Sequence, residues 1–193
     1  YFKSKSVSHS HTEITEEEYS VDVVIAARNE EQNIYKCLES ISAQEGELRL
    51  SIIVVNDHSK DQTSLIVEQF ANKHPSLKVL LVENRGEGKK NALKLATEFI
   101  TSTHVFFTDA DCILAPNALL SSIHCQQQSE AKAVLGMVSF QGKSLMSKLV
   151  QVENLNNMAV TEASVKAEIP MLANGANLLI TQDVLDIYKT SLS

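Results

Sequence analysis

An α/β architecture, an open and mostly parallel sheet with helices on both faces, is predicted by three observations. Short apolar runs alternate with amphipathic stretches from Val21 onward. Three of those stretches repeat one helical template, with apolar residues at i, i+3, i+4 and i+7. Acidic residues stand directly after two of the runs, where a strand would end. Strand and helix in strict alternation imply parallel strands joined by crossover helices.

Taken in order, Val21–Ala27 reads as the first strand, and Ile34, Cys37, Leu38 and Ile41 form the stripe of the first helix. Ser51–Asn56 is the second strand, followed by a helix on Thr63, Ile66, Val67 and Phe70. Leu77–Val82 is the third strand, followed by Ala92, Leu95, Ala96 and Phe99 at the same spacing. His104–Thr108 is the fourth strand, residues 116–128 a helix, and residues 133–138 a fifth strand. Asn29 with Gln32 and Ser59 with Gln62 have the spacing of capping boxes at the first two helix starts. Residues 143–168 read as a longer helix whose stripe of Leu145, Met146, Leu149 and Val152 could touch a membrane surface, although packing on the domain is the favoured reading. Pro170 stops it, residues 173–180 read as extended, and residues 182–188 begin a last helix. Residues 1–20 are polar and read as an arm or linker, His9 and His11 included.

Bulk properties bound the function. The chain has 193 residues, 44% hydrophobic and 21% charged, which suits one globular domain. A net charge of −7 argues against nucleic acid as a partner, since that would want a basic face. Cys37, Cys112 and Cys125 are widely spaced and form no C-x-x-C pair, so neither a zinc site nor a disulfide framework is indicated. Cys37 falls on the apolar stripe of the first helix and reads as a buried thiol, which fits a reducing compartment. No apolar stretch approaches the roughly 20 residues of a membrane span, and no signal peptide is visible.

The chemistry is expected at the carboxyl ends of the strands, where open parallel sheets bind ligands. That rule gathers Arg28 and Asn29 after the first strand, Asp57 after the second, residues 84–90 after the third, and Asp109-Ala110-Asp111 after the fourth. A lone Asp after a strand is ordinarily a turn former or a cap, and Asp57 alone would be read so. Two carboxylates one residue apart repel in a partly dry crevice unless a cation or donors compensate. Mg²⁺ or Mn²⁺ would take such oxygen ligands and keep positions open for phosphate oxygens. Asp57, Asp109 and Asp111 are therefore expected to converge on one cation that grips a phosphorylated ligand. Arg85-Gly86-Glu87-Gly88-Lys89-Lys90 is glycine-broken and basic, and Lys89 could meet a phosphate. It lacks the P-loop spacing, and the first strand–helix turn lacks G-x-G-x-x-G. Residues 173–177, Ala-Asn-Gly-Ala-Asn, could line a pocket or form a turn.

These segments, in this order, resemble the signatures of family 2 glycosyltransferases: 23–31, 54–63, 88–93, 109–111 and 174–177, over about residues 20–185. The resemblance implies the GT-A fold, a Rossmann-like mostly parallel sheet, with residues 21–193 a nucleotide-sugar-binding domain incomplete at its C-terminus. It implies an inverting, metal-dependent transferase that moves a sugar from a nucleoside-diphosphate sugar, in particular a UDP-sugar, to a saccharide or lipid-linked acceptor. By the same resemblance Ala27, Arg28 and Glu30 lie against the nucleoside, and Asp57 hydrogen-bonds the base. Gly88 and Lys89 sit near the nucleotide, Asp109 and Ala110 on the ribose and sugar side, and Asp111 with Asp109 at the Mg²⁺ or Mn²⁺. Asn174, Gly175 and Asn177 line the acceptor side. A cytoplasmic location, with membrane association of the parent protein, goes with it.

Two departures from the family pattern stand out. Proline is usual where Ala26 or Ala27 stands. The acid pair that supplies the catalytic base is expected beyond Ser193, because Asp183 and Asp186 fall too close and on a helix. The Gln-x-x-Arg-Trp motif of processive synthases is absent, and the chain contains no Trp. The rival readings are a catalytically silent nucleotide-sugar-binding domain, a sugar nucleotidyltransferase and a D-x-D phosphatase. The nucleotidyltransferase would want a glycine-rich basic loop after the first strand, where Arg28-Asn29-Glu30-Glu31 stands. The phosphatase would carry its acids after the first strand, not the fourth.

Overall fold

The computed structural model describes residues 19–129, 131–136, 138 and 176–191, with side chains as far as residue 186. The expected arm up to residue 18, the helix at 143–168, Pro170, Asn174 and Gly175 lie outside the described residues. Eleven elements follow in chain order: β1 Tyr19–Ala27, α1 Ile34–Ser42, β2 Leu48–Asn56, α2 Thr63–Lys73, β3 Lys78–Glu83 and α3 Lys89–Ala96. Then come β4 His104–Asp109, α4 Ala118–Ser129, β5 Ala133–Leu135, β6 Asn177–Thr181 and α5 Gln182–Ser191. Tyr19 and Ser20 thus belong to β1 and not to the arm.

The strands form one sheet in the order β3-β2-β1-β4-β6-β5. β3, β2, β1 and β4 pair in parallel, as the strand–helix alternation requires. β6 runs antiparallel to both β4 and β5. β5 is shorter than the expected 133–138, and of the stretch read as extended at 173–180 the described part forms β6 from Asn177 onward. Where β5 leaves the sheet, a side chain on Gly136 would collide with Asn177 at the start of β6, so only glycine fits this approach.

Burial follows the two-residue period of each strand. Val21, Val23, Ile25 and Ala27 of β1 face one core with α1, α2 and α4, while Val24 faces a second core with α3 and α5. Ile52 and Val54 of β2 go to the first core, Ile53 and Val55 to the second. The central strands are covered on both faces, which is why they read as unbroken apolar runs. The stripe residues Ile34, Cys37, Leu38 and Ile41 are all buried. Burial drives the Cys37 thiol pKa far up, and nearby Cys112, Asp111 and Asp109 add to it, so the thiol stays protonated and inert.

The capping boxes are not formed. α1 begins at Ile34 after Asn33, and α2 at Thr63 after Gln62, with no side-chain hydrogen bond at either cap. Asn29 and Ser59 instead satisfy each other's loops, as described below. The third helix ends at Ala96, and the Thr97, Glu98 and Phe99 amides bond three residues back, tightening its last turn.

Below the sheet, at the end opposite the candidate site, Asp22 is a buried anchor that the sequence reading does not single out. Its carboxylate accepts from the Thr101 amide at 2.6 Å, the Ser102 amide at 2.8 Å and the Ser51 hydroxyl. Asp22→Ala leaves three donors without a partner and is expected to cost about 2–3 kcal/mol. Thermal melts should show a Tm lower by roughly 5–10 °C, and Asp22→Asn, which keeps an acceptor oxygen, should recover most of it.

Candidate functional site

Four parallel strands deliver their carboxyl ends to one edge, and the loops there are laced together by side chains. The Asn29 amide donates to Ser59 Oγ at 3.0 Å, and the Lys60 amide donates to Asn29 Oδ1 at 2.8 Å. The Glu30 amide donates to Thr63 Oγ1 at 2.8 Å, the Glu31 amide to Asp61 Oδ2 at 3.0 Å, and the Gln62 amide to Glu31 Oε2 at 3.0 Å. The polar residues that resembled helix caps therefore bind the β1–α1 loop to the β2–α2 loop. Asn29 and His58 both take left-handed backbone, with φ of 57° and 58°. For a residue other than glycine that conformation is unusual, and both residues flank groups that line the cleft.

That cleft has a volume of about 400 Å³ and is lined by Ala26, Ala27, Arg28, Glu30, Asp57, Gly88, Lys89, Asp109, Ala110 and Asp111. It brings together the donor-side candidates Ala27, Arg28, Glu30, Asp57, Gly88, Lys89, Asp109, Ala110 and Asp111. Asn177 lies off the lining, at the first position of β6, paired with Thr108 one residue before Asp109.

Asp57 is only 4% exposed and held by donors of its own chain. Asn84 Nδ2 donates to Oδ1 at 2.7 Å, and the Gly88 amide reaches Oδ1 at 3.0 Å and Oδ2 at 3.1 Å. Arg28 stands 3.5 Å from Oδ2. Burial alone would raise the Asp57 pKa, but the Asn84 and Gly88 donors, with Arg28 and His58, outweigh it and hold the carboxyl below its usual range. Gly88 precedes α3 with φ of 88°, a left-handed conformation that lets its amide turn back to Asp57. Asn84, also buried, is gathered with the loop 84–90 in the sequence reading but not singled out as the partner of Asp57. Its signal was its place just after β3, the same position that singled out Asp57 after β2.

Asp109 and Asp111 behave differently. Asp109 is half-buried and ion-paired with Lys89 Nζ, while Asp111 is exposed at the cleft mouth. Asp57, Asp109 and Asp111 all line the one cleft, as expected. Among the described residues no group of three or more His, Cys, Asp or Glu side chains could hold a metal ion. Asp57 is held toward Asn84, Gly88 and Arg28. Two carboxylates one residue apart remain, a hard-oxygen donor set that fits Mg²⁺ or Mn²⁺ when phosphate oxygens and water complete the shell. The lining holds four carboxylates against Arg28 and Lys89, so its own charge opposes an anionic ligand unless a cation enters with it.

Asp183, on α5, pairs with Lys132 at 2.9 Å and accepts from the Thr181 hydroxyl, and it does not line the cleft. Among the described residues no helix is long and apolar enough to cross a membrane.

The lowered carboxyls carry a pH signature. Burial pushes Asp61 upward, but the Thr63 hydroxyl and the Glu31 and Thr63 amides bring it below its ordinary value, as with Asp57. A carboxyl whose folded pKa is depressed stabilises the fold above its unfolded pKa and loses that contribution as pH falls through the folded value. Tm is therefore expected to be flat down to about pH 5 and to fall below about pH 4, less steeply in Asp57→Asn. A melt series across that range checks it.

The family model described as "Glycosyl transferase family 2" matches residues 22–167. An uncharacterized protein of Methanocaldococcus jannaschii is 35% identical over 119 residues, 59% of this chain and 50% of that protein. Glycosyltransferase AglE of Haloferax volcanii is 26% identical over 167 residues, 86% of this chain and 54% of that protein. The chain thus spans about half the length of these relatives. Among solved structures, the mannosyltransferase PcManGT of Pyrobaculum calidifontis superposes with a TM-score of 0.71 at 23% identity, covering 89% of this chain and 47% of that one. Glucosyl-3-phosphoglycerate synthase of Mycobacterium tuberculosis gives a TM-score of 0.60 at 19% identity, covering 86% and 58%. Both show the same fold, and with the family model matching most of the chain, including the crossover helices and every residue of the cleft, this chain belongs to glycosyl transferase family 2.

Proposed function

We propose that the chain is the donor-binding part of a glycosyltransferase that passes a sugar from a nucleoside-diphosphate sugar to an acceptor hydroxyl, with inversion. One observation carries this reading. A single cleft at the carboxyl edge of the sheet combines a buried, fixed carboxylate, two adjacent outward carboxylates, and the cations Arg28 and Lys89. Relatives support the donor class. PcManGT was solved with GDP-Man and Mn²⁺, and glucosyl-3-phosphoglycerate synthase with UDP and Mn²⁺.

Asp57, held rigidly by Asn84 and Gly88, presents a fixed acceptor edge to the nucleoside, for which uracil is the expected base. Arg28 and Glu30 border the same end, with Ala26 and Ala27 as a flat apolar floor. Lys89 is placed to leave Asp109 for a phosphate oxygen, trading one anion for another at the same reach. Asp111 and Asp109 would hold Mg²⁺ or Mn²⁺, which neutralises charge on a leaving diphosphate. In the transfer the acceptor oxygen bonds to the anomeric carbon, the bond to the diphosphate oxygen breaks, and the hydroxyl proton passes to a base. Attack from the face opposite the leaving group inverts the configuration. A saccharide or lipid-linked acceptor would enter on the side of Asn174, Gly175 and Asn177.

Isothermal calorimetry with UDP and GDP, each with and without Mn²⁺, tests the reading. Binding that requires the metal, tighter for UDP, is expected. Absence of binding by either nucleotide in the presence of Mn²⁺ would refute it.

A further inference from the structure

We propose that His58 is a positioning residue that latches the 84–88 loop over Asp57 and so sets the affinity for the nucleoside diphosphate. The inference rests on the donor reading above and adds to it a residue outside the cleft lining.

His58 sits one residue beyond Asp57 with φ of 58°, backbone that glycine would adopt without strain. A bulky side chain kept there needs an interaction to offset the conformation. The ring supplies one. Nε2 lies 2.7 Å from the carbonyl oxygen of Gly86, and since a carbonyl only accepts, Nε2–H donates. The same loop is tied down at further points, among them an Asn91 Nδ2 bond to the Glu87 carbonyl at 2.7 Å and an Arg85–Glu98 ion pair at 3.3 Å. The Gly86 amide donates to Asn84 Oδ1 at 3.2 Å, the Gly88 amide to Asp57, and Arg28 approaches Glu87 at 3.5 Å.

The His58 bond differs from these in kind. It joins the β2–α2 turn to the tip of the loop, where Gly86 has no side chain of its own to anchor. Gly86 is exposed, and beyond it the chain runs directly into Gly88 and Lys89 of the cleft. Without the latch, the Gly86 tip loses its tie to the β2–α2 turn, and more of the ordering of the loop that leads to Lys89 falls to the ligand itself. Ordering a loop before the ligand arrives lowers the cost of binding. His58 does not line the cleft, so it acts through the loop.

Three variants separate a positioning role from a structural one. His58→Gly relieves the left-handed backbone and removes the ring. Its Tm is expected to stay within about 2 °C of the parent, as for an exposed substitution. Hydrogen exchange at the Gly86 and Gly88 amides should accelerate about tenfold in the unliganded protein. Affinity for UDP with Mn²⁺ should fall roughly five- to tenfold. His58→Gln, whose amide can donate from a similar reach, should restore both exchange protection and affinity, and His58→Leu should restore neither. Unchanged exchange at residues 86–88 in His58→Gly would overturn the latch. Faster exchange with unchanged UDP affinity, or a Gln variant no better than Leu, would overturn the positioning role. A parent protein that binds neither UDP nor GDP refutes the donor reading and this role with it, while the exchange measurement still reports whether the latch exists.

Discussion

Asp111→Asn is expected to abolish Mn²⁺-dependent nucleotide binding while leaving the fold intact. Asp111 is exposed at the mouth of the cleft and no core contact depends on it, so Tm should be unchanged within the error of a surface substitution. The amide retains the shape but loses the charge that a hard cation requires. Removing one electrostatic stabiliser of developing charge costs about 3–4 kcal/mol, roughly 10²–10³-fold in transfer rate. Asp109→Asn should show a smaller loss, because Lys89 then loses its partner and is free for phosphate. Calorimetry with and without Mn²⁺ reads both variants. An Asp111 variant that binds nucleotide and metal like the parent would remove the metal from the proposed chemistry.

Asp57→Ala is expected to damage fold and function together. The carboxylate satisfies Asn84 Nδ2 and the Gly88 amide and faces Arg28, all from within a nearly closed site. Deleting it strands buried donors and leaves the Arg28 charge without its buried partner. The cost should be about 3 kcal/mol of stability, or roughly 6–12 °C in Tm. Binding of UDP should weaken by at least about tenfold, because the loop carrying Gly88 and Lys89 loses its fixed point. Asp57→Asn keeps the size and one acceptor oxygen. It should restore most of the stability but not the affinity, since its amide cannot face Asn84 and Gly88 as a carboxylate does. Thermal melts and calorimetry on the pair separate the two roles.

The sheet was legible because its central strands are buried on both faces. Val23-Val24-Ile25 and Ile52-Ile53-Val54-Val55 leave no polar side to confuse the pattern. The rule that ligands bind beyond the carboxyl ends then gathered Arg28, Asp57, Lys89, Asp109 and Asp111 at one edge, where the cleft lies. What failed was the assignment of partners. Asn29 and Ser59 have the composition of helix caps, and either use satisfies the same backbone donors. Only the proximity of the two loops in space decides that they bond to each other. Nothing in the chain advertises that Asn84, 27 residues away, would donate to the Asp57 carboxylate. Asp22 was invisible for the same reason: inside an apolar strand an acid is informative only once Thr101 and Ser102 are seen beneath it. The antiparallel insertion of β6 between β4 and β5 is likewise set by pairing over long sequence separation, which local periodicity does not carry.

Anomalous diffraction from crystals soaked with UDP and Mn²⁺ tests the central claim most directly. A manganese peak within coordination distance of an Asp111 carboxylate oxygen, with diphosphate oxygens completing the shell and the uracil against Asp57, is the predicted result. A nucleotide bound elsewhere, or a cleft that holds UDP with no manganese beside Asp111, would contradict it.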